Sequence, residues 1–152
     1  DKLTDAAIDQ GLSTAQWPGR LELLRRSPDF IVDGAHNPQC ADALMASLSS
    51  LYGDKKLIFL TGVLRDKDWQ QMLRRALPLA KAFVVITPPS ARALDENELA
   101  GWLNAQGVPA IPAADTDDGV RRALAMADKD DAICSWGSLY FTGEVRHALS
   151  AQ

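Results

Sequence analysis

The stretch Phe30-Ile31-Val32-Asp33-Gly34-Ala35-His36-Asn37-Pro38 decides how the chain is read. Phe30-Ile31-Val32 is apolar without alternation, as in a strand buried on both faces of a parallel sheet. Asp33 ends that run, and Gly34 permits a tight turn. Asn37 followed by Pro38 then opens a helix. The Asn side chain accepts from unpaired amides, and Pro loses no hydrogen bond at the first helical position. A strand, a turn and a helix start within nine residues are the opening of an α/β layer unit.

The same pattern recurs outward along the chain. Leu57 to Leu60, Phe83 to Ile86 and Ala132-Ile133-Cys134 are further continuous apolar runs, and amphipathic segments separate them. Ala41, Leu44, Met45, Leu48 and Leu51 share one helix face, as do Trp69, Met72, Leu73, Ala76 and Leu77. Leu99, Trp102 and Leu103 form a third stripe, and Val120, Ala123, Leu124 and Ala127 a fourth. A last helix carries Phe141, Val145, Ala148 and Leu149 inward. Asp66 is the expected cap of the second helix, and Asp95 with Glu98 makes a capping-box start for a helix ending at Gly107. Ala110-Ile111, between Pro109 and Pro112, reads as a weak peripheral strand. Leu21 to Leu24 and Phe30 to Val32 are too close for a parallel crossover, so they form an antiparallel hairpin. The expected fold is α/β: a Rossmann-like, six-stranded, mostly parallel sheet with one antiparallel strand and helices on both faces. Residues 1–16 read as a short helix leading in from a missing upstream domain, and 17–152 as the domain itself.

Composition removes several classes. The 152 residues suit one domain, and 47% hydrophobic with 24% charged residues is a globular balance. Sixteen Lys and Arg against twenty Asp and Glu give a net charge of −4. That is not the basic footprint of a nucleic-acid binder. No apolar run approaches the ~20 residues that cross a bilayer, so no membrane partner is expected. Cys40 and Cys134 have no zinc or disulfide-scaffold spacing and fit a reducing, cytoplasmic setting. With only His36 and His147, a multi-histidine metal centre is impossible, and no metal ligands are assigned. Neither G-x-S-x-G nor G-x-x-x-x-G-K-[ST] occurs. The chain has no phosphate-binding P-loop of its own.

Four clusters could carry chemistry, and each has a plain structural reading beside it. Asp33 to Pro38 sits at a strand's carboxyl end, where doubly wound sheets bind ligands, and His36 precedes a helix start suited to an anion; equally, Asp33 and Asn37 are caps. Trp17-Pro18-Gly19-Arg20 presents a guanidinium whose fork matches phosphate, or a solvated surface turn. Gly62 to Trp69 places Lys67 where it could face an anion, or holds only caps and solvated charge. In Trp136 to Gly143, Ser138 could cap a helix or bond a ligand, and the aromatics line core or cleft.

Together these clusters resemble a known family. "WPGRLE" (17–22), "DGAHNP" (33–38), "GVLRDKD" (62–68) and "GSLYFTGEVR" (137–146) match, in order, the C-terminal domain of folylpolyglutamate synthase/dihydrofolate synthase, in the Mur ligase superfamily. The resemblance runs from about residue 16 to 148, and the pairing of Arg20 with "DGAHNP" is its most specific part. It implies a Mur ligase C-terminal domain fold and an ATP-dependent amide ligase. Family members use ATP and Mg²⁺ to phosphorylate a carboxylate of dihydropteroate or folate, and the amine of L-glutamate then attacks the acyl phosphate. The P-loop and the Mg²⁺ ligands belong to a preceding ATPase domain of the same polypeptide. By the same resemblance Arg20 contacts ATP phosphate, Asp33 the ribose, and His36 lies near the reacting phosphate as the catalytic residue. Lys67 and Ser138 are assigned to the glutamate pocket. The implied protein is a monomer, and this chain is inactive alone. Two alternatives stay open: the C-terminal domain of another Mur-type amino-acid ligase, and a non-catalytic α/β binding module.

Overall fold

The computed structural model describes residues 4, 6, 7, 10 and 17–152. The expected lead-in over 1–16 therefore lies almost wholly outside the described residues. From Glu22 the chain runs β1 (Glu22–Arg25), β2 (Asp29–Val32), α1 (Pro38–Tyr52), β3 (Leu57–Thr61), α2 (Trp69–Ala76), β4 (Ala80–Val85), α3 (Glu96–Ala105), β5 (Ala110–Pro112), α4 (Thr116–Met126), β6 (Ala132–Trp136) and α5 (Thr142–Ser150). Short 3₁₀ turns at Leu77–Leu79 and Leu139–Phe141 follow α2 and precede α5.

The six strands form one sheet in the order β1-β2-β6-β3-β4-β5. Only β1 is antiparallel, pairing Glu22 with Val32 and Leu23 with Ile31; the remaining pairs are parallel. Every residue of β3 and β6 is buried, as unbroken apolar runs require. The alternation of the strands divides the core into two layers. Ile31, Phe59, Phe83 and Cys134 pack under α1, α2 and α3, while Phe30, Ile58, Val84 and Ile133 pack under α4 and α5. Phe59 anchors the first layer, stacked on Phe83 at 5.3 Å and edge-on to Trp136 at 6.1 Å.

Local details depart from the sequence reading at a few ends. Asn37 caps α1 as expected, accepting from Cys40 N at 2.8 Å. Leu51, however, is 60% exposed. At about 100° per residue, position 52 stays on the buried stripe while 51 rotates off it. Tyr52 takes the inward place and donates to Asp29 Oδ2 at 3.0 Å. The cap of α2 is Asp68, accepting from Gln71 N, rather than Asp66; Asp66 instead pairs with Arg92 at 2.7 Å. Asp95 caps α3 through Asn97 N and Glu98 N, but Glu98 closes no box, because its carboxylate pairs with Arg65. That helix ends at Ala105, and Gly107 follows in the left-handed region at φ +87°. Leu77 and Phe141 pack from 3₁₀ turns and Ala127 from the cap of α4, each just outside the helix assigned to it.

Candidate functional site

Strand order creates the crevice. The chains leaving β2 and β3 turn toward α1 and α2 on one face, while the chain leaving β6, between them, turns to α5 on the other. Divergence at that point opens a gap beyond the carboxyl ends of β2, β6 and β3. The turn out of β6 needs Gly137, whose φ is +111°. A Cβ there would stand 2.6 Å from Thr61 Oγ1 and 2.7 Å from Gly62 O. The antiparallel start adds a further segment to this edge, because pairing Glu22 with Val32 sets the Trp17–Leu21 turn beside Asp33 and Gly34. Gly34 N donates to Gly19 O at 2.7 Å.

A cavity of about 320 Å³ fills the gap, lined by His36, Lys67, Arg92, Ser138 and Tyr140 among others. It unites three of the five residues singled out in the sequence, each from a different strand end. His36 Nδ1 lies 2.8 Å from Gly34 O. A carbonyl only accepts, so that contact assigns the proton to Nδ1 and leaves Nε2 unspent. Ser138, 2% exposed, accepts from Tyr140 N at 3.2 Å and caps the 3₁₀ turn, so its structural reading holds. Its own O–H proton has no acceptor among the described residues. Lys67 is half-buried, and its ammonium has no partner among them either.

Arg20 and Asp33 line a second, smaller depression of about 230 Å³, with Cys40, Ala43, Leu44 and Ser47 of α1. The loop from Asp33 to His36 separates the two hollows. Asp33 is only 7% exposed, and both carboxylate oxygens are engaged: Oδ2 accepts from Leu21 N at 2.8 Å and Oδ1 from Ala35 N at 2.7 Å. It locks the Arg20 turn onto the end of β2. The Arg20 side chain is exposed and has no partner among the described residues. Cys134, below this loop, is no candidate nucleophile. Full burial, helped by the nearby Asp33 carboxylate, pushes its thiol well above the usual range.

Arg92 is the residue that sequence reading missed. Its segment bridges to the loop after β3 (Leu64 opposite Ala93, Arg65 N to Arg92 O at 2.7 Å), which sets it on the cavity rim. The guanidinium donates to Tyr140 Oη at 3.1 Å and Asp66 Oδ2 at 2.7 Å, and these two partners raise its pKa in that order. The available signal was positional. Pro88 to Ala91 make the loop after β4, so Arg92 reaches the same sheet edge as the four clusters.

The described residues include no group of three His, Cys, Asp or Glu placed to hold a metal ion. No described helix is long and apolar enough to cross a membrane. The site offers cations, one imidazole and one buried hydroxyl around two adjoining hollows, chemistry suited to anionic ligands.

Comparison with known proteins agrees with the resemblance. Residues 19–139 match the family described as Mur ligase, glutamate ligase domain. The folylpolyglutamate synthase of Lacticaseibacillus casei is 32% identical over 151 residues, covering 97% of this chain and 33% of that protein. The bifunctional folylpolyglutamate synthase/dihydrofolate synthase of Yersinia pestis, complexed with AMPPNP and Mn ion, superposes with a TM-score of 0.87 at 30% identity. The match covers 98% of this chain and 35% of that one. A structure of such a bifunctional enzyme with Mn, AMPPNP and L-glutamate bound superposes with a TM-score of 0.82 at 30% identity, covering 99% and 35%. The chain thus spans about a third of the length of these relatives, which are ligases, and corresponds to their C-terminal domain. The chain belongs to the Mur ligase family, as its glutamate ligase domain.

Proposed function

We propose that residues 17–152 form the C-terminal domain of a monomeric, cytoplasmic, ATP-dependent ligase joining L-glutamate to a folate or dihydropteroate carboxylate. A preceding ATPase domain of the same polypeptide supplies the P-loop and the Mg²⁺ ligands. The described residues here offer no donor set suited to a metal. The observation that carries this reading is the pair of cations without a partner among the described residues, Arg20 and Lys67, one on each side of the His36 loop.

The reaction couples two displacements. The substrate carboxylate attacks the γ-phosphorus of ATP and ADP leaves, giving an acyl phosphate; the glutamate amine then attacks the acyl carbon and inorganic phosphate leaves. Arg20 grips the nucleotide phosphates with its planar fork, and Asp33, still holding spare lone pairs, accepts from a ribose hydroxyl. Lys67 and the Ser138 hydroxyl bind glutamate in the larger hollow. His36, with Nδ1–H fixed on Gly34 O, offers Nε2 to the proton that the glutamate ammonium must lose before it attacks. Closure of the facing domain excludes water, which would hydrolyse the acyl phosphate.

The test is steady-state kinetics on the full-length polypeptide, following glutamate-dependent phosphate release. Arg20→Ala is expected to raise KM for ATP, and Lys67→Ala to raise KM for glutamate, each leaving the other within about twofold. The chain alone releases no phosphate. Turnover with a different amino acid but not glutamate would reassign the domain to another Mur-type ligase. Phosphate release from the chain alone, or indifference of both KM values to the two variants, would overturn the reading.

A further inference from the structure

The Arg20 turn is fastened unusually well for a surface segment. Gly19 N donates to Glu22 Oε2 at 2.8 Å, Arg20 N to Trp17 O at 3.1 Å, and Leu21 N to Asp33 Oδ2 at 2.8 Å. Such fastening has a cause in the backbone. Gly19 sits at φ +74° and Leu21 at φ +44°, and a leucine in the left-handed region is held there only by its surroundings.

Glu22 is the hub of this arrangement. Its carboxylate also receives a two-pronged grip from Arg146, with Nη1 on Oε1 at 2.8 Å and Nη2 on Oε2 at 2.7 Å. Bonds from the Arg146 side chain and the Gly19 amide hold the Glu22 carboxyl down at about 2, so it stays ionised. Arg146 lies on α5, outside both hollows. It closes the motif "GSLYFTGEVR", yet it is spent on Glu22 and lines neither hollow.

The electrostatics give this pair a consequence for ligand binding. Glu22 stands two residues from Arg20. An uncompensated carboxylate there leaves a bare negative charge two residues from the proposed phosphate ligand, which opposes binding of a polyphosphate. Arg146 neutralises it in fork geometry, which a lysine cannot reproduce. In the structure Arg20 has no partner among the described residues, while Glu22 is fully engaged.

We propose that Arg146 is a positioning residue for nucleotide binding: by clamping Glu22 it holds the Trp17–Glu22 turn and keeps the Arg20 guanidinium free for phosphate. The inference rests on Arg20 being the phosphate ligand proposed above. It couples α5, on the opposite face of the sheet from α1, to the nucleotide side of the site.

A double-mutant cycle on the full-length polypeptide tests it. Arg146→Met should raise KM for ATP about tenfold, the order of one weakened bond to a charged group, with kcat and KM for glutamate unchanged within about twofold. In the Arg20→Ala background the same change should have no further effect beyond about twofold, because the group it positions is gone. Adding Glu22→Gln to Arg146→Met should recover part of the ATP affinity, since Gln keeps an acceptor for Gly19 N without the charge. Additive effects of Arg20→Ala and Arg146→Met would overturn the proposal, as would equal rises in both KM values or no rise at all. Should Arg146→Met fail to fold, Arg146→Lys carries the same cycle, with a smaller rise in KM for ATP. A wild-type KM for ATP in Arg20→Ala would instead remove the phosphate role of Arg20. An Arg20 effect additive with that of Arg146 removes only the coupling.

Discussion

Replacing Asp33 by Ala removes the acceptor of two backbone amides at once, and their fates differ. Leu21 is half-buried in a surface turn, so its amide can turn to water. Ala35 is fully buried, and among the described residues its N–H has no partner besides Asp33 Oδ1 at 2.7 Å. Leaving a buried donor unsatisfied costs about 1–3 kcal/mol, and losing a bond to a charged acceptor about 1.5–3 kcal/mol. Their overlap gives about 3 kcal/mol for Asp33→Ala. In a domain of this size that is about 6–12 °C in Tm. Asp33→Asn keeps one carbonyl oxygen and should cost about half as much. The assay is urea and thermal unfolding of this chain by circular dichroism. The midpoints are expected to fall with the urea slope unchanged, since the surface exposed on unfolding is the same. An Asp33→Ala chain melting within about 0.5 kcal/mol of wild type, the range of an ordinary surface substitution, would refute the reasoning. The result also governs how ligase kinetics are read. A loss of ATP affinity counts toward the proposed ribose contact only at temperatures where the variant remains folded.

Two further outcomes follow from the same edge of the sheet. Glu22 titrates at about 2 in the fold against an ordinary 4.5. Its depressed value means that the pair stabilises fully above about pH 4.5 and is lost as pH falls toward 2. With Arg146 44% exposed, solvent screening leaves about 1 kcal/mol of that, and acid unfolding of Arg146→Met should lack this increment; identical acid profiles would remove the pair from the stability of the chain. Gly137→Ala combines φ +111° with a Cβ 2.7 Å from Gly62 O, which neither backbone nor rotamer can relieve, so about 3 kcal/mol should be lost; a wild-type denaturation midpoint would show that the turn has room.

The architecture was legible because burial on both faces writes itself as continuous apolar runs. β3 and β6 are such runs, and the short connection before Phe30 left β1 no choice but to be antiparallel. Helix ends were less legible, since Asp66 and Asp68 are equally good caps in one dimension. Only the position of Arg92 decides that Asp66 is used elsewhere. The grouping of the site was hidden for a related reason. His36, Lys67 and Ser138 lie on three separate loops, and strand order, which no local pattern records, brings them round one cavity. The Glu22–Arg146 pair spans 124 residues of sequence, so both members stood in quoted motifs without any sign that they meet.

Charge pairing separates the cations that build the fold from those left for a ligand. Arg65, Arg75, Lys81, Arg121, Arg122 and Arg146 are all committed to carboxylates. At the carboxyl edge Arg20 and Lys67 are unpaired among the described residues, and Arg92 shares its guanidinium between Asp66 and a tyrosine. An acidic domain with a net charge of −4 thus keeps two cations at this edge that no described carboxylate pairs with. These cations are wet, and in high dielectric a charge contact at 4 Å is worth only about 1 kcal/mol. A facing domain that closes over the rim lowers the local dielectric, and each of these contacts then strengthens several-fold. On the proposed function, the chain alone therefore binds ATP and glutamate weakly, and the strength of the site is created by closure rather than carried by either half.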